Sequence, residues 1–99
     1  MRGSDFVVDF LIKHQVTDVY GIPGGVVLDF LYALNHRSSE IKPHLNFHEH
    51  NSISSASGFA WSSNNLGVAY ATRGPGITNM VTGVADAYCD SIPILIITG

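Results

Sequence analysis

An apolar run that stops at a Gly-Pro-Gly turn and restarts as an amphipathic segment constrains this chain most. Leu66-Gly67-Val68-Ala69-Tyr70-Ala71 reads as a strand, and Thr72-Arg73-Gly74-Pro75-Gly76-Ile77-Thr78-Asn79 follows it directly. Beyond the turn, Ile77, Met80, Val81, Val84, Ala85 and Tyr88 recur at offsets of 3, 4, 7, 8 and 11, which predicts an amphipathic helix. Two glycines and a proline let the backbone turn sharply and come close to a ligand. The unpaired amides of a helix start would then point at whatever sits above the sheet.

The same succession occurs three times. Ser4 is expected to cap a first helix running to about Gln15, with Phe6, Phe10 and Leu11 on one side. Val16 to Ile22 reads as a short strand ending in Gly21-Ile22-Pro23-Gly24-Gly25. Val27, Phe30, Leu31 and Leu34 then mark a helix that stops near Asn35. A weaker strand, roughly His44 to His48, meets Glu49. Ile53, Ala56 and Ala60 have helical spacing within Asn51 to Trp61, although the four serines there lower helix propensity and leave room for close backbone approach. Pro93 opens a last strand, Ile94-Leu95-Ile96-Ile97, apolar on both faces as in the centre of a parallel sheet.

The order α-βα-βα-βα-β predicts one domain over residues 1–99. Its fold class is α/β: an open, mostly parallel sheet of about four strands with helices on both faces. Ligands of such sheets bind outside the carboxyl ends of the strands. Gly21 to Gly25, His48 to His50, Thr72 to Asn79 and Thr98-Gly99 would all share that edge.

Composition narrows the partners. Apolar residues make up 45% and charged residues 13%, which suits a globular chain rather than a disordered one. A formal charge of −3 and five scattered basic residues give no footprint for nucleic acid or an anionic membrane. Ile94 to Ile97 is far too short to span a bilayer, and Arg2 is followed by no long apolar stretch of a signal peptide. Cys89 is the only cysteine, so no internal disulfide can form; it reads as a small buried residue near a helix end. A soluble cytoplasmic protein is expected.

Glu49 is the sharpest candidate for chemistry. The chain has one other glutamate, Glu40, and that one sits in the polar stretch Arg37 to Lys42. A carboxylate between an apolar strand and a Ser/Ala-rich helix either handles protons or stabilises the helix N-terminus. On an extended backbone His48 and His50 project to one face, and with His44 they could approach a metal ion; this spacing is a weak signal, and ordinary hydrogen-bonded histidines are the default. Gly21-Ile22-Pro23-Gly24-Gly25 matches neither G-x-G-x-x-G nor the P-loop pattern, so by itself it reads as a tight turn. Asp86 and Asp90 read as a polar face and a loop entry.

Taken together, these segments resemble the pyrimidine-binding (Pyr) domain of thiamine-diphosphate enzymes, and within that family acetolactate synthases and acetolactate-synthase-like proteins. The stretches that carry the resemblance are Val19-Tyr20-Gly21-Ile22-Pro23-Gly24-Gly25, Val27-Leu28-Asp29-Phe30-Leu31, His48-Glu49 and Ala71 to Asn79. Gly83-Val84-Ala85-Asp86-Ala87, Asp90-Ser91-Ile92-Pro93 and Ile97-Thr98-Gly99 extend it over essentially the whole chain.

The resemblance implies thiamine diphosphate as cofactor and Glu49 as the glutamate that hydrogen-bonds N1′ of its aminopyrimidine. The imino tautomer so favoured removes the thiazolium C2 proton, and a 2-oxo acid is then decarboxylated or ligated. Thr72, Pro75 and Asn79 match positions lining the aminopyrimidine pocket, and Pro23, Gly24 and Gly25 match the turn beside the reacting carbon. Relatives usually carry alanines where this chain has Ser52, Ser54, Ser55 and Ser57, and glutamine where it has His50. Arg73 replaces a common serine and fits relatives of sugar pathways. In the family a separate domain holds the diphosphate through Mg²⁺, often in another subunit; that domain is absent from these 99 residues. The chain is therefore expected to be a partial domain, inactive and poorly soluble or oligomeric alone, pairing with a diphosphate-binding domain or a second copy. A flavin requirement, the 2-oxo acid and its acceptor are left open. The alternatives are a non-catalytic interaction module that pairs with full-length subunits, and an unrelated nucleotide-binding domain.

Overall fold

The computed structural model describes all residues from Met1 to Gly99. Its centre is β3 (Gly67–Ala71), in which every residue is buried. Alternation along the strand sends Val68 and Tyr70 to one face and Ala69 and Ala71 to the other, and each pair joins a different apolar cluster. On the first face lie α1 (Gly3–Lys13) and α2 (Leu28–His36), which bury Val8, Leu11, Phe30, Ala33 and Leu34 against the sheet. The edge of Phe30 meets the Tyr70 ring at a centroid distance of 5.7 Å. On the second face lies α3 (Glu49–Ser63), which contributes Ile53 and Ala56.

The sheet has four strands in the order β2-β1-β3-β4, where β1 is Asp18–Gly21, β2 is Lys42–Leu45 and β4 is Ile94–Thr98. All three pairings are parallel, with Tyr20 opposite His44 and Ala69, and Ala69 opposite Ile96. The expected α/β class, the parallel strands and the helices on both faces are thus present.

Small residues on the α3 side have a packing reason. A Cβ added to Gly67 would overlap the Ala56 carbonyl oxygen, and one on Gly83 would overlap the Ile53 side chain. α3 therefore lies almost on the backbone of β3 and of α5 (Val81–Cys89). The serine-rich composition of α3 does not prevent a 15-residue helix, because burial of Ser52, Ile53, Ala56 and Ala60 outweighs the weak propensity.

Several expectations are corrected. Helix α1 begins before Ser4: the Arg2 amide donates to Asp5 Oδ2 at 3.0 Å, while the Ser4 hydroxyl is buried inside the first turn with no partner. Strand β2 ends at Leu45 instead of reaching His48. The helix expected after the Gly-Pro-Gly turn breaks into α4 (Pro75–Thr78) and α5, with Asn79 and Met80 between them. Gly76, Met80, Gly83 and Ala87 form its buried side, whereas Val81, Val84 and Tyr88 are 59%, 38% and 86% exposed. Gly83 goes inward because only glycine permits the close approach to Ile53 of α3, and Gly76 because it lies against Thr72. Cys89 is exposed, and β4 lies at the sheet's margin with half-buried side chains rather than at its centre. No helix is long and apolar enough to cross a membrane.

The Gly67 contact is with backbone, which cannot rotate out of the way. Gly67→Ala is expected to cost about 1–3 kcal/mol, read as a lower urea midpoint; an unchanged midpoint would show that α3 can retreat from β3.

Candidate functional site

Parallel strands finish on the same side of a sheet, so the turns after β1, β2 and β3 gather at one edge. The turns after β1 and β3 touch: a Cβ on Gly24 would lie 2.5 Å from Thr72 Cβ. A Cβ on Gly76, one turn further on, would likewise crowd the Thr72 side chain, at 2.9 Å from Cγ2. Thr72 is therefore wedged between two glycines that have no side chain to displace it. Gly99 closes the same edge from β4, packed against Val26 in the short 3-10 turn Gly25–Val27.

The Gly74 backbone has φ 70, a left-handed conformation that favours glycine, and it delivers the chain into α4 with Pro75 in its first turn. No heavy atom lies within 4 Å of a Cβ built on Gly25 or Gly74, so both turns border open space. Pro23, Gly25 and Pro75 are exposed, while Gly24 and Thr72 are half-buried.

Glu49 is the first residue of α3 and is half-buried. Its Oε2 accepts a hydrogen bond from Asn79 Nδ2 at 3.5 Å, the outer limit for such a bond. Two candidates thirty positions apart in the chain are thereby joined. Capping is performed by a different residue: His48 has extended backbone, and its Nδ1 accepts from the His50 amide at 3.0 Å. The Glu49 carboxylate is thus free of cap duty.

Asn46 and Ser52 hold this helix start in place, and the sequence pattern did not single out Asn46. The Asn46 amide donates to the Gly21 carbonyl at 3.2 Å, and the fully buried Ser52 hydroxyl donates to Asn46 Oδ1 at 3.1 Å. Its signal was available: a lone amide just past a strand, six positions before a serine on the inner face of the next helix.

The three histidines do not converge. His44 Nε2 lies 2.7 Å from Asp18 Oδ1, and its ring stacks on Tyr20 at a centroid distance of 4.9 Å. His48 is the helix cap, and His50 is exposed on α3. No three His, Cys, Asp or Glu side chains group closely enough to hold a metal ion.

The turns after three parallel strands and an acidic helix start thus share one edge of an α/β domain, and comparison gives the family. Residues 1–99 match the thiamine pyrophosphate enzyme, N-terminal TPP binding domain, and the chain belongs to that family. Among proteins similar to it is an acetolactate synthase large subunit from Cyanidium caldarium, 42% identical over 99 residues, covering 98% of this chain and 17% of that protein. The chloroplastic acetolactate synthase 2 of Nicotiana tabacum is 46% identical over 98 residues, covering 99% of this chain and 15% of that protein. An acetolactate synthase from Arthrospira platensis is 43% identical over 102 residues, covering 100% and 17% respectively. The chain therefore spans about one-sixth of the length of the curated relatives it matches.

The Asp18–His44 contact has a titration consequence. Burial raises the Asp18 carboxyl, but hydrogen bonds from Thr17 and His44 and the nearby charges of His44 and Lys42 outweigh it and hold it below the usual carboxylate range. A carboxyl lowered on folding contributes stability that is present above its unfolded value and lost as pH falls through its folded value. Asp18→Asn should therefore flatten the acid limb of stability between about pH 5 and pH 2, by up to about 1 kcal/mol. Urea midpoints across that range for both proteins test this; parallel acid limbs would exclude Asp18 as a contributor.

Proposed function

We propose that residues 1–99 form the aminopyrimidine-binding part of a thiamine-diphosphate site, in a longer protein that decarboxylates or ligates a 2-oxo acid. The observation that carries the reading is the half-buried Glu49 carboxylate at the carboxyl edge of the sheet, bonded through one oxygen to Asn79. Its other oxygen has no partner within the chain, and that oxygen suits the N1′ position of an aminopyrimidine. The turns at Gly25 and Gly74 border open space at the same edge, which leaves the approach to Glu49 free for a flat ring.

In this reading Asn79 orients Glu49, and Glu49 holds the proton at N1′. Thr72 and Pro75 line the ring pocket, and Pro23, Gly24 and Gly25 leave room for substrate without offering a side chain. Bound thiamine diphosphate supplies the electron sink for cleavage beside the substrate carbonyl. Its diphosphate and Mg²⁺ would be held by a domain outside these residues, so this chain contributes part of a site and acts within an assembly, as a homo-oligomer or beside a diphosphate-binding domain. The names of the relatives support an acetolactate-synthase-like reaction.

Glu49→Gln in a full-length protein carrying this segment should lower turnover by roughly 10²–10⁴ while leaving the fold intact by circular dichroism. Turnover equal to wild type would remove Glu49 from the mechanism.

A second reading has its own observation. Val81, Val84 and Tyr88 make an exposed apolar face on α5, which suits a non-catalytic module that pairs with full-length subunits. Under it, the chain co-elutes with a full-length relative on size exclusion and adds no activity. Separate elution would discard this alternative.

A further inference from the structure

At the opposite edge of the sheet, where the strands begin, α3 and α5 both finish beside one concavity of about 290 Å³. Trp61 and Asn64 line it from the end of α3, and Asp90, Ser91, Ile92 and Pro93 line it between α5 and β4. Asn64 (φ 54) and Ser91 (φ 55) are left-handed, and each turns the chain out of its helix at the rim. Two helix carboxyl ends, each with partial negative charge, therefore meet at the same hollow.

The side chains reinforce that sign. Asp90 is the only charged residue in the lining, and it forms no ion pair. The five basic residues are spent elsewhere. Arg2, Lys13 and Arg37 pair with Asp5, Asp9 and Glu40, Lys42 stands on β2, and Arg73 follows β3 at the far edge. Trp61 is 75% exposed and lines the hollow with its indole accessible to a ligand, and Ile92 and Pro93 supply an apolar wall. A carboxylate, the face of an indole and two helix carboxyl ends all attract cations. A metal ion is poorly served, because one carboxylate and neutral amide or hydroxyl groups make a thin ligand set.

We propose that this hollow binds a small organic ammonium ion with an apolar body. The ammonium would lie between Asp90 and the helix ends, and the hydrocarbon part against Trp61, Ile92 and Pro93. The volume suits a molecule of about ten non-hydrogen atoms. This site is separate from the Glu49 edge and independent of the cofactor reading.

Trp61 is the only tryptophan, so its fluorescence reports on the hollow directly. The 99-residue chain is titrated with cyclohexylmethylammonium and, in parallel, with uncharged cyclohexylmethanol. A saturable change in emission is expected with the ammonium ion, at least roughly fivefold tighter than with the alcohol. Asp90→Asn should weaken ammonium binding by roughly fivefold, and Asp90→Ser repeats the test if the first variant loses its circular-dichroism melt. No saturable change up to roughly 10 mM, equal response to the alcohol, or unchanged affinity in the folded Asp90 variant would each overturn the proposal.

Discussion

Burial of β3 on both sides is the constraint from which the rest follows. A strand with no solvent face must satisfy two layers at once, and it does so by alternating large and small residues. Val68 and Tyr70 fill the wide space under α1 and α2, while Ala69 and Ala71 admit α3 at close range. Gly67 extends the same economy of volume, since even a methyl group there would meet the Ala56 carbonyl. The depth at which α3 sits is thereby fixed by the smallest side chains in the sheet.

That depth decides where Glu49 stands. The helix begins at Glu49, its cap is His48, and the buried Ser52–Asn46 bond ties its first turn to the end of β1 at Gly21. The turn after β3 arrives from the other side, and Asn79 reaches across to the carboxylate. Packing in the core and placement at the edge are two results of one arrangement. The partly buried carboxylate is tolerable because it has a donor on one side and the positive end of a helix behind it.

Much of this was legible in the residues, and the failures have physical causes. Strands ending in Gly, Pro or polar residues, followed by 3.6-residue periodicity, were enough for the α/β order and the shared edge. The buried face of the last helix was not, because periodicity counts apolar side chains and cannot see that glycine is preferred where two backbones nearly touch. Gly83 therefore faces Ile53 while Val84 and Tyr88 face outward. The helix break at Asn79 was hidden for a related reason: the apolar spacing runs unbroken through it. Strand β4 reads as central because it is apolar on both faces, yet it forms the margin of the described sheet. At α1 the capping preference of Ser4 points to the wrong residue, because Asp5 already serves the Arg2 amide from inside the helix. For the candidate site, Glu49 and the Gly-Pro-Gly turn stand out, whereas Asn46 is marked only by its spacing to Ser52, which gains meaning once the end of β2 is placed.

That β1 pairs with the distant β3 as well as with β2, its neighbour in sequence, bears on how the edge comes into being. Tyr20 and Ala69 lie almost half the chain apart, and β2 with all of α3 must be accommodated between them before they can register. Local segments can coil early, but the meeting of Gly24 with Thr72 waits for this long-range closure. The edge where Gly24 meets Thr72 therefore cannot exist in any intermediate in which the middle of the sheet is still open.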